Sequence, residues 1–262
     1  YPNIFSHVLG YTSKTEDAYN SMPEIPRSHW RDAELVYAHG LIKGRTGLEE
    51  IYEDHLRGSY GERVYEINAM GKLVQSLSIT KPLKGSDLHT NLDIEAQKSA
   101  AKFLGNRRGA VVAIDLDSGG INVLYSSPTY SINQLSNGMN EDDFQILIND
   151  PDKPFFNRAL KGRYPPASTI KPAIGMYGVS KNIVNWDFEI KDPGFFTLPE
   201  TGRVFRGWRK GGHGKVNMHK AFLVSSNTYF FSLAYQADIK ELSSYLTSLG
   251  FGQKVCLDCF DE

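Results

Sequence analysis

A serine and a lysine three residues apart, Ser168 and Lys171, stand in the string Arg163-Tyr164-Pro165-Pro166-Ala167-Ser168-Thr169-Ile170-Lys171-Pro172. A serine hydroxyl becomes a useful nucleophile when a neighbouring base takes its proton. Lysine serves as that base when burial or cationic neighbours lower its pKa. Residues i and i+3 share one face of a helix, so a helix starting here would bring the Lys171 nitrogen within reach of the Ser168 oxygen. The free N–H groups of the same helix start would stabilise an oxyanion formed at the serine.

The flanking residues must supply that helix. Pro165 and Pro166 hold the approach extended, and Ile170, Ala173, Ile174 and Tyr177 repeat with a helical rhythm behind it. The same serine–lysine spacing occurs at Ser78/Lys81, which runs into Pro82 and a Lys/Gly turn, and at Ser99/Lys102, inside an amphipathic helical pattern. Both read as surface residues. Further on, Ser225-Ser226-Asn227 closes one apolar run (Ala221 to Val224) and opens another (Tyr229 to Leu233). A turn between two buried helices obliges its polar residues to find partners, either as a helix cap or as part of the site around Ser168.

The length of 262 residues suits about two domains at roughly 150 residues each. A hydrophobic fraction of 40% and a charged fraction of 23% are ordinary for a globular chain. With a net charge of −1, nothing points to nucleic acid. No apolar run approaches the roughly 20 residues that cross a bilayer. The chain starts at Tyr1 without a signal-like segment, so any anchor is expected upstream of residue 1.

Residues 1–85 alternate short strand-like pieces with turns. Tyr1 to Tyr11 reads as extended, and Glu62 to Asn68 alternates like a half-exposed strand. Asp87 to Asp93 reads as a strand delivering an acidic N-cap, Asp93, to a helix over Ile94–Leu104 that Gly105 stops. The apolar run Ala110–Ile114, the turn Asp117-Ser118-Gly119-Gly120 and the return Ile121–Tyr125 predict a hairpin.

Taken together, Tyr164–Pro172 with Ser225-Ser226-Asn227 resembles the S-x-x-K and S-x-N elements of the penicillin-binding proteins, serine D,D-transpeptidases whose third element is K-[ST]-G. Order matters in that set: Ser131/Asn133 precedes the nucleophile and Ser180/Asn182 follows it too closely. The hairpin, Ser127 to Tyr130 and Asn157-Arg158-Ala159 are similar to the family's opening strands. Gly44, Gly47, Glu49, Tyr52, Glu53, Leu56, Arg57 and Gly58 resemble the non-catalytic pedestal of class B members. Asp192-Pro193-Gly194 and Trp208 to Gly214 are most similar to the penicillin-binding protein 2 group.

The resemblance implies an α+β fold: a transpeptidase domain like that of penicillin-binding proteins and serine β-lactamases over residues 86–262, preceded by a mixed α/β, dimerisation-like pedestal over residues 1–85. It implies cross-linking of peptidoglycan stem peptides ending in D-Ala-D-Ala, and acylation by β-lactams. In it Ser168 is the nucleophile, Lys171 its base, Ser225 a proton relay to the leaving amine, and Asn227 a hydrogen-bond partner of substrate and of Lys171. It also implies work at the periplasmic face of the bacterial inner membrane during elongation, beside a RodA-like glycosyltransferase and an MreC-like scaffold. The other readings are a serine β-lactamase, and a non-catalytic β-lactam sensor or scaffold.

The sequence departs from the family in three places. Some relatives hold zinc through two Asp, a His and a Cys; here Asp192 and His213 remain, with Gly207 and Ser226 at the other two positions. Two ligands are too few for a closed tetrahedral site, so no metal or cofactor is expected, and His213 is expected to hydrogen-bond within its glycine-rich loop. Cys256 and Cys259 form a lone C-x-x-C to which no function is assigned. No K-S-G or K-T-G string occurs, which leads to the expectation that these residues are the front part of a longer protein.

Overall fold

The computed structural model describes residues 2–14, 42–59, 61–70 and 72–253; Cys256 and Cys259 lie outside them. The chain divides into two compact units, the first ending at Arg163 and the second beginning at Tyr164.

The first unit opens with a 3-10 turn, Pro2–Phe5, and a short helix α1, Ser6–Leu9, where the sequence suggested an extended segment. Tertiary packing decides this. Ile4 packs on the cluster of Ala100, Val123 and Tyr125, while the His7 ring bonds the Pro154 carbonyl at 2.7 Å through Nε2. Strand β1 (Thr12–Lys14) pairs with β2 (Ile42–Gly44), followed by α2 (Gly47–Ile51) and α3 (Glu53–Arg57). The Glu53 carboxylate, held by Arg57, accepts from the Gly44 amide at 2.8 Å and ties these pieces together.

Strand β3 (Gly58–Ser59) pairs with β6 (Leu83–Lys84), and β4 (Glu62–Ile67) with β5 (Leu73–Thr80). Residues 63–66 of β4 are exposed rather than half-exposed, because among the described residues this ribbon has two strands and no buried face. The expected strand over Asp87 to Asp93 is absent: its backbone is engaged singly, as where Asp93 N–H donates to the Asn122 carbonyl. Asp93 nonetheless caps helix α4 (Ile94–Leu104) by accepting from Ala96 N–H, and Gly105 ends it.

Strands β7 (Gly109–Ile114) and β8 (Ile121–Ser127) form the hairpin that the apolar runs predict, in register from Gly109 opposite Ser127. Buried Gln97 of α4 fixes helix to hairpin, donating to the Leu124 and Ile4 carbonyls and accepting from Leu124 N–H. This side chain binds the start of the chain, α4 and the hairpin together. Helices α5 (Ile132–Ser136) and α6 (Glu141–Asn149) follow. Buried Asn157 and Arg158 close the unit by bonding the His7 carbonyl and Ser126.

The second unit carries the candidate site. A 3-10 turn, Ala167–Ile170, runs into α7 (Lys171–Ser180). Short antiparallel pairs follow, β9 (Ile190–Asp192) with β12 (Gly214–Val216) and β10 (Phe195–Thr197) with β11 (Val204–Arg206). Three helices complete it: α8 (Met218–Leu223), α9 (Asn227–Gln236) and α10 (Ile239–Ser248). The core is Val184, Val216, Met218, Ala221, Tyr229, Phe230 and Leu233. Helix α7 lies close against α8 and α9 because it carries Gly175 and Gly178 where a side chain would intrude: a Cβ at Gly178 would stand 2.7 Å from a Leu233 methyl.

Candidate active site

Each predicted residue owes its position to a local feature of the chain. Ser168 sits exposed in the 3-10 turn, directly after Ala167, whose φ of 48° is left-handed. Such backbone conformations are rare for residues with a Cβ and gather at functional sites. Lys171 is the first residue of α7 and is 8% exposed. Ser225 fills the turn between α8 and α9, also left-handed with φ 52°. Asn227 is the first residue of α9.

All four converge. The Ser168 and Ser225 hydroxyl oxygens lie 2.9 Å apart. The Lys171 Nζ is 2.7 Å from Asn227 Oδ1, 2.9 Å from the Ser225 carbonyl and 3.0 Å from Ser225 Oγ. The direct contact of Lys171 with Ser168 expected from their spacing is not made; Ser225 stands between them. The shared face that the spacing predicts does not by itself bring the two groups into contact, because the Ser225 hydroxyl bonds both of them.

A proton inventory gives the direction of the network. The Asn227 and Ser225 carbonyl oxygens only accept, so they take two N–H bonds from Lys171. The third contact, with a hydroxyl, is the one that can reverse. A neutral amine has two N–H groups and one lone pair, so in that state the lone pair faces Ser225 Oγ–H, and Ser225 Oγ accepts from Ser168. Burial favours this state by pushing the Lys171 ammonium below the ordinary lysine range, although the Phe230 ring 5.5 Å away favours the cation.

The cap reading of the Ser225 turn belongs to its neighbour. Ser226, almost fully buried, accepts from Tyr229 N–H as the N-cap of α9, leaving Ser225 to the site. The Ser226 hydroxyl donates to Asp192 Oδ2 at 2.7 Å, and Asp192 Oδ1 accepts from Gly194 N–H. Burial would raise the Asp192 carboxyl, but the bonds from Ser226 and Gly194, together with the neighbouring Thr228 and His213, outweigh it and hold the group below its usual range. The sequence reading missed this pairing; Ser226 three residues before Tyr229, at the head of an apolar run, was the available signal of a cap.

Asp192 and His213 supply two ligands, with Gly207 and Ser226 at the other two positions, too few for a closed tetrahedral zinc site. Among the described residues no three of His, Cys, Asp and Glu gather to hold a metal. The expected side-chain hydrogen bond of His213 is not found; the imidazole packs on Trp208, 5.3 Å between ring centroids.

Residues 109–262 match the penicillin-binding protein transpeptidase domain, and residues 1–90 match the penicillin-binding protein dimerisation domain. The chain belongs to the penicillin-binding protein transpeptidase family. Among curated penicillin-binding proteins, it is 40% identical over 264 aligned residues to the peptidoglycan D,D-transpeptidase MrdA of Acinetobacter baumannii, covering 100% of this chain and 38% of that protein. It is 34% identical over 263 residues to MrdA of Escherichia coli K12, covering 100% and 41%. The crystal structure of Pseudomonas aeruginosa penicillin-binding protein 2 in complex with WCK 5153 superposes with a TM-score of 0.81 at 32% identity, over 100% of this chain and 52% of that one. The complex of Helicobacter pylori penicillin-binding protein 2 with MreC gives 0.79 at 30% identity, over 96% and 45%. The chain therefore spans about two fifths of the curated relatives and about half of the solved ones.

Proposed function

We propose that the intact protein is a peptidoglycan D,D-transpeptidase of the penicillin-binding protein 2 group. The observation that carries this reading is the continuous path Ser168–Ser225–Lys171–Asn227. In the first step Ser168 Oγ attacks the penultimate D-Ala carbonyl of a donor stem peptide, and its proton passes through Ser225 to Lys171. The peptide bond to the terminal D-Ala then breaks, and that amine leaves with the proton, returned through Ser225. The resulting ester is attacked by an acceptor amine from a neighbouring strand, which forms the cross-link and restores the serine hydroxyl. Asn227 holds Lys171 and hydrogen-bonds the substrate amide.

The named relatives support the wider setting: peptidoglycan cross-linking in MrdA, and a scaffold partner in the Helicobacter complex with MreC. The proposal extends to an MreC-like scaffold, a RodA-like glycosyltransferase, an upstream anchor in the inner membrane and action on its periplasmic face. Within this chain, among the described residues, no helix is long and apolar enough to cross a membrane. Residues 1–85 are proposed as the pedestal and 86–262 as part of the catalytic domain, a division supported by the two family matches.

Incubation of the intact protein with a fluorescent penicillin, followed by peptide mass mapping, tests the reading. A stable adduct on the Ser168 peptide, abolished by Ser168→Ala, is expected. Rapid loss of the adduct indicates a β-lactamase, and no adduct at all indicates a sensor or scaffold that does not acylate.

A further inference from the structure

Four consecutive residues, Val224 to Asn227, are gripped alternately from two sides. On one side Lys171 holds the Ser225 carbonyl and hydroxyl and the Asn227 amide oxygen. On the other, Trp208 Nε1 donates to the Val224 carbonyl at 3.1 Å, and Asp192 takes the Ser226 hydroxyl at 2.7 Å. These two outer anchors are themselves joined, because Gly194 N–H bonds the Asp192 carboxylate while the Gly194 carbonyl accepts from Gly207 N–H at 2.8 Å.

Asp192 is 2% exposed and Ser226 1%. A buried carboxylate is costly, and among the described residues no ion pair within 4.0 Å reaches Asp192, although the nearby His213 favours its charge. Capping α9 does not require it: Ser226 Oγ accepts from Tyr229 N–H with its lone pair, and the carboxylate takes the remaining hydroxyl proton. What the carboxylate adds is direction. With its proton committed to Asp192, the Ser226 side chain has one orientation, and the residues before and after it, Ser225 and Asn227, are fixed toward Lys171. Ser225 would otherwise relax from its left-handed conformation, which residues with a Cβ rarely adopt.

We infer that Asp192 is a positioning residue for the acyl-transfer site, acting through the Ser226 hydroxyl to hold Ser225 and Asn227 against Lys171. It touches neither substrate nor nucleophile. The inference rests on the transpeptidase reading, since acylation of Ser168 reports on it.

The test measures the rate of acylation by a fluorescent penicillin against pH in the intact protein, for Asp192→Ala, Ser226→Gly and the double variant. Glycine is accepted at an N-cap, so Ser226→Gly removes the link while sparing the helix start, and it decides the matter alone should Asp192→Ala not fold. Each single variant is expected to acylate about ten- to a hundredfold more slowly, the scale of a small misplacement of reacting groups. The double variant is expected within about threefold of the slower single, because both changes break one link. In Ser226→Gly, which keeps the Asp192 charge, the acid limb of the rate profile should also move to higher pH, as a loosened Asn227 admits water to Lys171. A purely structural defect would lower the labelled fraction and leave that limb in place. Losses that multiply in the double variant, or an unmoved limb, would overturn the inference. A wild-type protein that forms no adduct would refute the transpeptidase reading instead.

Discussion

The hydroxyl oxygens of Ser168 and Ser225 are 2.9 Å apart although 57 residues separate them in the chain, and Ser225 is in turn 3.0 Å from the Lys171 nitrogen. The second serine therefore lies on the hydrogen-bonded path between the first and the lysine. A mechanism in which Lys171 deprotonates Ser168 in direct contact needs that path to shorten; one in which Ser225 conducts the proton uses it as it stands.

If Ser225 conducts, Ser225→Ala and Lys171→Ala should slow acylation to a similar degree, about a hundred- to ten-thousandfold, the scale of a lost acid–base group. The double variant should be little worse than either, because groups acting as a unit are strongly non-additive. Stopped-flow labelling with a fluorescent penicillin measures all three. A Ser225→Ala protein acylating at the wild-type rate would show that Lys171 reaches Ser168 unaided.

The lowered pKa of Lys171 sets a pH dependence of the same step. Its neutral form is the base, and burial shifts the equilibrium toward that form. Acylation should rise with pH through a limb lying below the ordinary lysine range, and fall away on the acid side as the amine is protonated. Lys171→Arg should lose this limb together with the activity, since guanidinium does not deprotonate in this range. A limb at the ordinary lysine value would show that burial does not tune the base.

His7 gives the first unit an acid-sensitive point. Burial, together with the charge of Arg158, lowers its pKa from 6.5 to about 4 against the opposing bond to the Pro154 carbonyl. Between those values the unfolded chain binds the proton and the folded one does not. The stabilisation is therefore complete above about pH 6.5 and is lost as pH falls through about 4, amounting to about 3 kcal/mol. Thermal melting of the intact protein from pH 7.5 to 4 should show a steeper fall for wild type than for His7→Gln. Parallel curves would place the acid sensitivity elsewhere.

Gly178→Ala should destabilise the second unit. The helix gains about 1 kcal/mol of propensity, but the added methyl meets Leu233 at 2.7 Å and Val184 at 3.0 Å inside the core. Overpacking of this kind costs about 1–3 kcal/mol, so a net loss of about 1 kcal/mol is expected, read as a lower melting temperature. An unchanged or raised value would mean that α7 can move away from α9.

The sequence alone was enough to find the chemistry-bearing residues and their local frames. Ser168 and Lys171 stood out because two prolines and a helical apolar rhythm flank them, and Ser225 because a polar turn between apolar runs needs partners. Asp93 as a cap, the helix behind it and the hairpin over residues 109–127 were likewise legible, since each depends on neighbours a few positions away. Tertiary structure decided what depends on distant residues. It folded the start of the chain into a turn and helix against Ala100 and Pro154, and it left Asp87 to Asp93 outside any strand. It also set Ser225 between Ser168 and Lys171 and tied Ser226 to Asp192, 34 residues earlier. Spacing along a chain fixes which side chains share a face; which hydroxyl comes to lie between a serine and its lysine depends on how two helices and a strand pack, and that is settled only in three dimensions.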